Sequence, residues 1–172
     1  MVNRRETGRM TTTYVTNIAL AALIFGAGLS LPVQPAAAQS ALDVLAGSWR
    51  GSGTMDFEDG TAEAMSCNGY YRSGANMSVV IRCKGTDTKF ELRSKLLKSE
   101  GDKVSGVWEE RTYNASGEAS GTALPGKLNV QFSGSLAGRL ELNFSSSSQS
   151  VSVSIDTEGT GLKGARVSFS RL

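Results

Sequence analysis

"CNGYYRSGANMSVVIRC", residues 67–83, is the stretch whose reading decides the fold. Its middle, Gly74-Ala75-Asn76, is turn chemistry, and residues on either side alternate in character with period two. Placing that turn at the centre of a hairpin sets Cys67 opposite Cys83, Gly69 opposite Ile81 and Tyr71 opposite Val79. All six then share one face, and Asn68, Arg72, Ser78 and Arg82 share the other. The cysteine pairing and the apolar alternation agree on one register. Directly opposed residues of an antiparallel pair lie within disulfide reach, so a Cys67–Cys83 bridge is expected. Closing so short a loop contributes ~3 kcal/mol.

The same period extends outward in both directions. In "SWRGSGTMDF" (48–57), Trp49, Gly51, Gly53, Met55 and Phe57 form one face. In 89–98, Phe90, Leu92 and Leu96 alternate with Lys89, Glu91, Arg93 and Lys95. "KLNVQF", "RLELNF", "QSVSVSID" and "RVSFSRL" repeat the pattern as far as the final residue. Turn signals separate these runs at short, even intervals: Asp59-Gly60, Glu100-Gly101-Asp102, Ser116-Gly117, Pro125-Gly126, Ala137-Gly138, the serines at 145–148 and "EGTG" at 158–161. Parallel pairing needs longer crossovers than these. The expected fold is all-β: an antiparallel up-and-down meander of about eight to ten strands, closing into a small barrel. One short helical turn, "SALDVLAG" (40–47), precedes it, with Ser40 as cap and Gly47 as stop.

The N-terminus reads differently. Arg4, Arg5 and Arg9 precede the apolar run "IALAALIFGAGLSL" (18–31), followed by "PVQPAAAQS". A basic region, an apolar core and an Ala-x-Ala site describe a secretory signal peptide over 1–38, cleaved after Ala38. The apolar run is shorter than the ~20 residues needed to span a bilayer. Arg4-Arg5 also suggests a twin-arginine address, although no apolar residue follows it closely, so a Sec-type signal is the reading adopted. The mature chain, 39–172, is then a single barrel domain, periplasmic or secreted. Removing three Arg and one Glu from the 18 basic and 16 acidic residues leaves fifteen of each sign. That balance lacks the basic surface nucleic acid requires. No apolar run after 38 is long enough to cross a membrane as a helix.

Much chemistry is absent. The chain has no His, which removes the commonest general base and metal ligand. No Ser lies in a G-x-S-x-G turn, and Gly51-x-Gly53 lacks the third glycine and the helix of a phosphate loop. Two cysteines sixteen apart form no redox motif. Glu58-Asp59 lies in a turn. Glu110 falls in phase with Val104, Gly106 and Trp108, as an inward group or as a residue at the barrel rim. Asn76, Asn114 and Asn143 begin sequons that are coincidental in a bacterial context. No catalytic residue, metal ligand or cofactor is expected, and the protein reads as a non-enzyme.

Gly47-Ser48-Trp49 after a helical turn, with Arg171 in phase with Val167 and Phe169 at the other end, resembles the G-x-W signature of the lipocalins and their calycin relatives. In those barrels the Trp crosses the closed end and a basic residue of the last strand packs over it. The resemblance therefore implies structural roles for Trp49 and Arg171. A T-D-Y-like motif and the long helix of lipocalins are missing here. The exported metalloprotease inhibitors of the Inh type are also similar, with a G-x-W-like start and one disulfide. That likeness implies residues 39–46 as an arm that blocks a protease.

Three functions are thus in view: a barrel binding a small apolar ligand or docking on an envelope partner, an inhibitor with an N-terminal arm, or a structural envelope protein without a pocket. Small inward residues cluster in the first five strands. A cavity is expected against them, lined by Tyr71, Phe90 and Trp108, with Glu110 at its mouth as the group that orients a ligand.

Overall fold

In the computed structural model, residues 41–98 and 101–172 are described. The export signal expected over 1–38, with its expected cleavage site, lies outside the described residues. After a five-residue 3-10 helix, Ala41–Leu45, the strands follow in unbroken succession: β1 Gly47–Phe57, β2 Ala62–Arg72, β3 Asn76–Lys84, β4 Lys89–Lys98, β5 Lys103–Glu110, β6 Ala115–Leu124, β7 Lys127–Gly134, β8 Gly138–Phe144, β9 Ser148–Ile155 and β10 Leu162–Arg171. Each strand pairs antiparallel with its sequence neighbours, and β10 returns to pair with β1, closing the barrel. Closure leaves no unpaired edge, which removes the usual route to edge-to-edge aggregation. The chain is the all-β, up-and-down antiparallel barrel that the alternation predicted, with ten strands.

The hairpin of the opening stretch has the expected register. Cys67 faces Cys83, Gly69 faces Ile81 and Tyr71 faces Val79. The cysteines form a disulfide with their Cα atoms 4.1 Å apart. Both are buried and point into the lumen among the core residues.

Two strands must pass close together where the barrel turns sharply. At Gly53 a Cβ would collide with the Arg166 carbonyl oxygen of the facing strand, and at Gly51 with the Phe169 ring. Glycine is needed here because backbone approaches backbone. A register shift between Asp56 and Phe57 then carries β1 over Leu162 at the barrel end.

The up-and-down order fixes which residues share an end. The 3-10 helix, the start of β1 and the end of β10 lie at one end with the β2–β3, β6–β7 and β8–β9 turns. This end is the floor. The β1–β2, β3–β4, β5–β6, β7–β8 and β9–β10 connections gather at the other end, the mouth. Among the described residues no helix is long and apolar enough to cross a membrane.

Candidate functional site

The floor is sealed by side chains from both ends of the chain. The 3-10 helix crosses the barrel end from β1 to β6, on the opposite side of the ring. Leu42 and Leu45 on that helix are 0% and 1% exposed, and Trp49 beneath them is 0% exposed. The Trp49 indole N–H donates to the Leu45 carbonyl at 2.8 Å. Arg171 lies over the Trp49 ring, Cζ 4.3 Å from its centre, within cation–π range. Its guanidinium also donates to the carbonyls of Val44, Ala46 and Ser146. One residue thus fastens the helix, the β8–β9 turn and the Trp together.

Tyr71 belongs to this floor. Its ring meets Trp49 edge-on at 6.4 Å. Its hydroxyl donates to Gln149 Oε1 at 2.9 Å. Burial pushes the phenol well above its ordinary value, so it stays neutral. Gln149 is buried as well, and its Nε2 has no partner among the described residues. The structure therefore separates Tyr71 from Phe90, Trp108 and Glu110, which belong to the mouth half of their strands.

Trp108 leans across β6. It pairs with Gly117, and its indole N–H reaches past that strand to the Ser133 carbonyl on β7 at 3.2 Å. Phe132 meets it edge-on at 5.8 Å and also packs on Gly138, where a Cβ would crowd its ring. The inward face of β6 is small throughout: Ala115, Gly117, Ala119, Gly121 and Ala123. In sequence this strand shows no apolar face of large residues. Its lack of bulk was visible there and is what admits the two aromatic rings. Room for large groups thus lies against β6, where Trp108 and Phe132 fill it, whereas Gly51, Gly53 and Gly106 of the first five strands are met by the backbone or side chains of the facing strands.

Toward the mouth the lining changes. Phe57, Phe90, Leu92, Phe132, Leu136 and Leu162 pack against the core but are only partly buried. They come from the mouth ends of β1, β4, β7 and β10 and from the β7–β8 turn, so they form an apolar ring around the opening. Phe90 sits beside the disulfide, opposite Cys83.

Carboxylates hold the loops around this ring. Glu110 accepts backbone N–H bonds from Glu91 at 2.9 Å, Thr112 at 3.0 Å and Tyr113 at 2.6 Å. It lies at the rim, and both its oxygens serve the β5–β6 connection. Glu63 does the same for the β3–β4 loop, accepting from Asp87 and Thr88, and these bonds hold its carboxyl below its usual range. Glu58 accepts from Gly159 at 3.0 Å. Between the β1–β2 turn and the β3–β4 loop lies an open recess of about 850 Å³, lined by Phe57, Thr61, Glu63, Thr88 and neighbouring residues. Its lining comes from the mouth ends of β1 and β2 and from the β1–β2, β3–β4 and β9–β10 connections, and Tyr71, Phe90 and Trp108 take no part in it. Among the described residues no cluster of three or more His, Cys, Asp or Glu is arranged to hold a metal.

In sequence, no protein-family model and no curated protein matches this chain. In structure, it is similar to Rv2717c from M. tuberculosis, with a TM-score of 0.66 at 14% identity over 77% of this chain and 95% of that one. It is also similar to the S-type phycobiliprotein lyase CPES from Guillardia theta, with a TM-score of 0.57 at 14% identity over 78% of this chain and 94% of that one. At such identity the likeness concerns the fold, and in fold this chain is a small closed β-barrel of lipocalin-like type.

Proposed function

We propose that the mature chain is an exported, non-catalytic barrel that takes a small apolar or amphipathic molecule into the mouth half of its lumen. The observation that carries this reading is the difference in burial between the two barrel ends. Floor side chains are almost wholly buried, whereas Phe57, Phe90, Leu92, Phe132, Leu136 and Leu162 face the opening half-covered. Apolar side chains left partly exposed in a concave ring gain by covering, at about 25 cal/mol per Å² of apolar surface. Binding pockets are typically mostly apolar with a few polar groups.

The inhibitor reading fits less well. Residues 41–45 are folded into the floor, with Leu42 and Leu45 buried and Ala46 held by Arg171. An arm free to enter a protease would have to surrender those contacts.

The test is a titration with fatty acids and apolar fluorescent probes, read by Trp108 emission in a Trp49→Phe background. Saturable binding tighter than about 100 μM, roughly 5–6 kcal/mol, is expected. Phe90→Ala and Phe132→Ala should weaken it. No saturable binding would overturn the reading and favour a structural envelope protein without a pocket. Export is tested separately by the mass of the protein recovered from the periplasm. A chain beginning at Gln39 supports it, and an unprocessed chain retained in the cytoplasm overturns it.

A further inference from the structure

The fifteen positive and fifteen negative charges of residues 39–172 are not evenly spread over the barrel wall. With Glu109 of the adjoining β5 standing 3.9 Å from Arg93, the outward positions of β2, β3 and β4 carry Arg72, Arg82, Lys84, Lys89, Arg93 and Lys95 against a single carboxylate of their own, Glu91. That carboxylate is already shared. Arg82 contacts it at 2.8 Å, Arg93 at 2.7 Å and Arg111 at 3.8 Å. Lys84, Lys89 and Lys95 are exposed and form no ion pair among the described residues. The opposite wall is balanced. On the outward positions of β6 to β9, Lys127 and Arg139 stand against Glu118 and Glu141 among serines, Asn and Gln.

The basic wall also has an apolar centre. Tyr70, 43% exposed, pairs with Val80, and Val107, 55% exposed, pairs with Lys95. The Arg82 guanidinium lies 6.0 Å from the Tyr70 ring centre. The exposed Tyr70 with Val80 flanked by long cationic side chains, and Val107 at the edge of the wall between Lys95 and Glu118, match a particular kind of surface. Aliphatic stems of Lys and Arg lie along apolar surface while their heads reach outward, and tyrosine favours a boundary that is apolar on one side and wet on the other.

From this arrangement we infer that the outer wall of β2–β4 docks on a bilayer containing anionic phospholipid. The headgroup phosphates pair with Lys84, Lys89 and Lys95, and Tyr70 and Val80 sit at the level of the headgroup–acyl boundary. The contact is peripheral: the barrel lies side-on and its mouth stays open at the membrane surface. The inference concerns a different face from the lumen and stands independently of ligand binding.

The experiment is co-sedimentation of the mature protein with vesicles of phosphatidylglycerol and phosphatidylcholine in equal parts, beside vesicles of phosphatidylcholine alone. Binding to the anionic vesicles only is expected, weakening as salt is raised. A juxtamembrane cation contributes roughly a fivefold factor in affinity, so Lys84→Glu, Lys89→Glu and Lys95→Glu together should abolish detectable binding. Lys127→Glu, Arg139→Glu and Lys163→Glu make the same change in net charge away from this wall. That variant should retain most of its binding. Thermal unfolding of both variants verifies that the barrel remains folded. Equal binding to both vesicle types, no binding at all, or equal loss in the two folded variants would overturn the inference. Binding to a soluble acidic protein in place of vesicles would also overturn it.

Discussion

Floor and mouth are built from the same strands with the same alternation, yet they are finished in opposite ways. At the floor, a helix of five residues is laid across the opening, and one arginine ties it to the Trp beneath. At the mouth no element among the described residues crosses the opening, and carboxylates on the rim spend their oxygens on loop amides. The floor therefore gains its order from burial, the mouth from hydrogen bonds at a wet surface. Burial of large side chains contributes several kcal/mol each, whereas exposed polar contacts contribute little, so stability should concentrate at one end and adaptability at the other.

The largest effect expected from this contrast is at Trp49. Trp49→Ala should destabilise by about 3–5 kcal/mol, as for a fully buried aromatic. Phe90→Ala at the mouth should cost well under half of that, because its ring is only partly buried. Paired denaturant curves measure both. Equal losses would erase the distinction between the ends.

The disulfide comes next. Cys67 and Cys83 lie sixteen residues apart, and replacing both by Ser should cost about 3 kcal/mol. Hydrogen exchange should locate the loss along β2 and β3 while the Trp49 region stays protected.

A smaller effect is expected at Tyr71. Tyr71→Phe removes the bond to Gln149 and should cost about 1–2 kcal/mol, whereas Tyr71→Phe with Gln149→Leu should recover most of the loss, since both partners are then apolar. The same residue gives the floor an alkaline limit. In the unfolded chain Tyr71 ionises near 10.0, while burial keeps it protonated in the fold above that value. Its contribution is complete below pH 10 and is lost as pH rises beyond it. Tyr71→Phe should flatten the fall in thermal midpoint above pH 10.

The smallest effect is at the rim. Glu63 has an ordinary value of 4.5, lowered in the fold by its bonds to Thr88 and Asp87. On the neighbouring wall, Arg82 and Arg93 hold Glu91 at about 2. Both contributions are present above 4.5 and fade as pH falls below it, that of Glu91 fading until about pH 2. Protection of the β3–β4 loop amides, relative to unstructured chain at the same pH, should fall on acidification before any change at the floor, and Glu63→Gln should lower it already at neutral pH.

How far the sequence reached differs between the two ends. Period-two alternation is a property of single strands, so the inward faces and the Cys67–Cys83 register could be read from local pattern and turn chemistry. The seam between β1 and β10 was legible only by resemblance, because Trp49 and Arg171 are separated by nearly the whole domain. At the mouth, phase alone could not say how high along the barrel a residue sits. Tyr71 and Trp108 share the inward phase, but β2 runs down toward the floor where β5 rises toward the mouth. That difference separated residues which alternation had grouped into one lining.

Composition and alternation by themselves determined the class of this protein: an all-β chain without histidine, of balanced charge after residue 38, whose strands each bury one face and whose cysteines oppose each other. These are short-range facts, set by the period of the strand and by which residues tolerate turns. Tertiary structure alone decided that the 3-10 helix closes one end, that Trp108 and Phe132 lean over the small residues of β6, that Glu110 holds a loop, and that the cations gather on one wall. Each of these depends on strand order, direction and stagger around a closed ring. Those quantities join residues far apart in sequence, and no local period carries them.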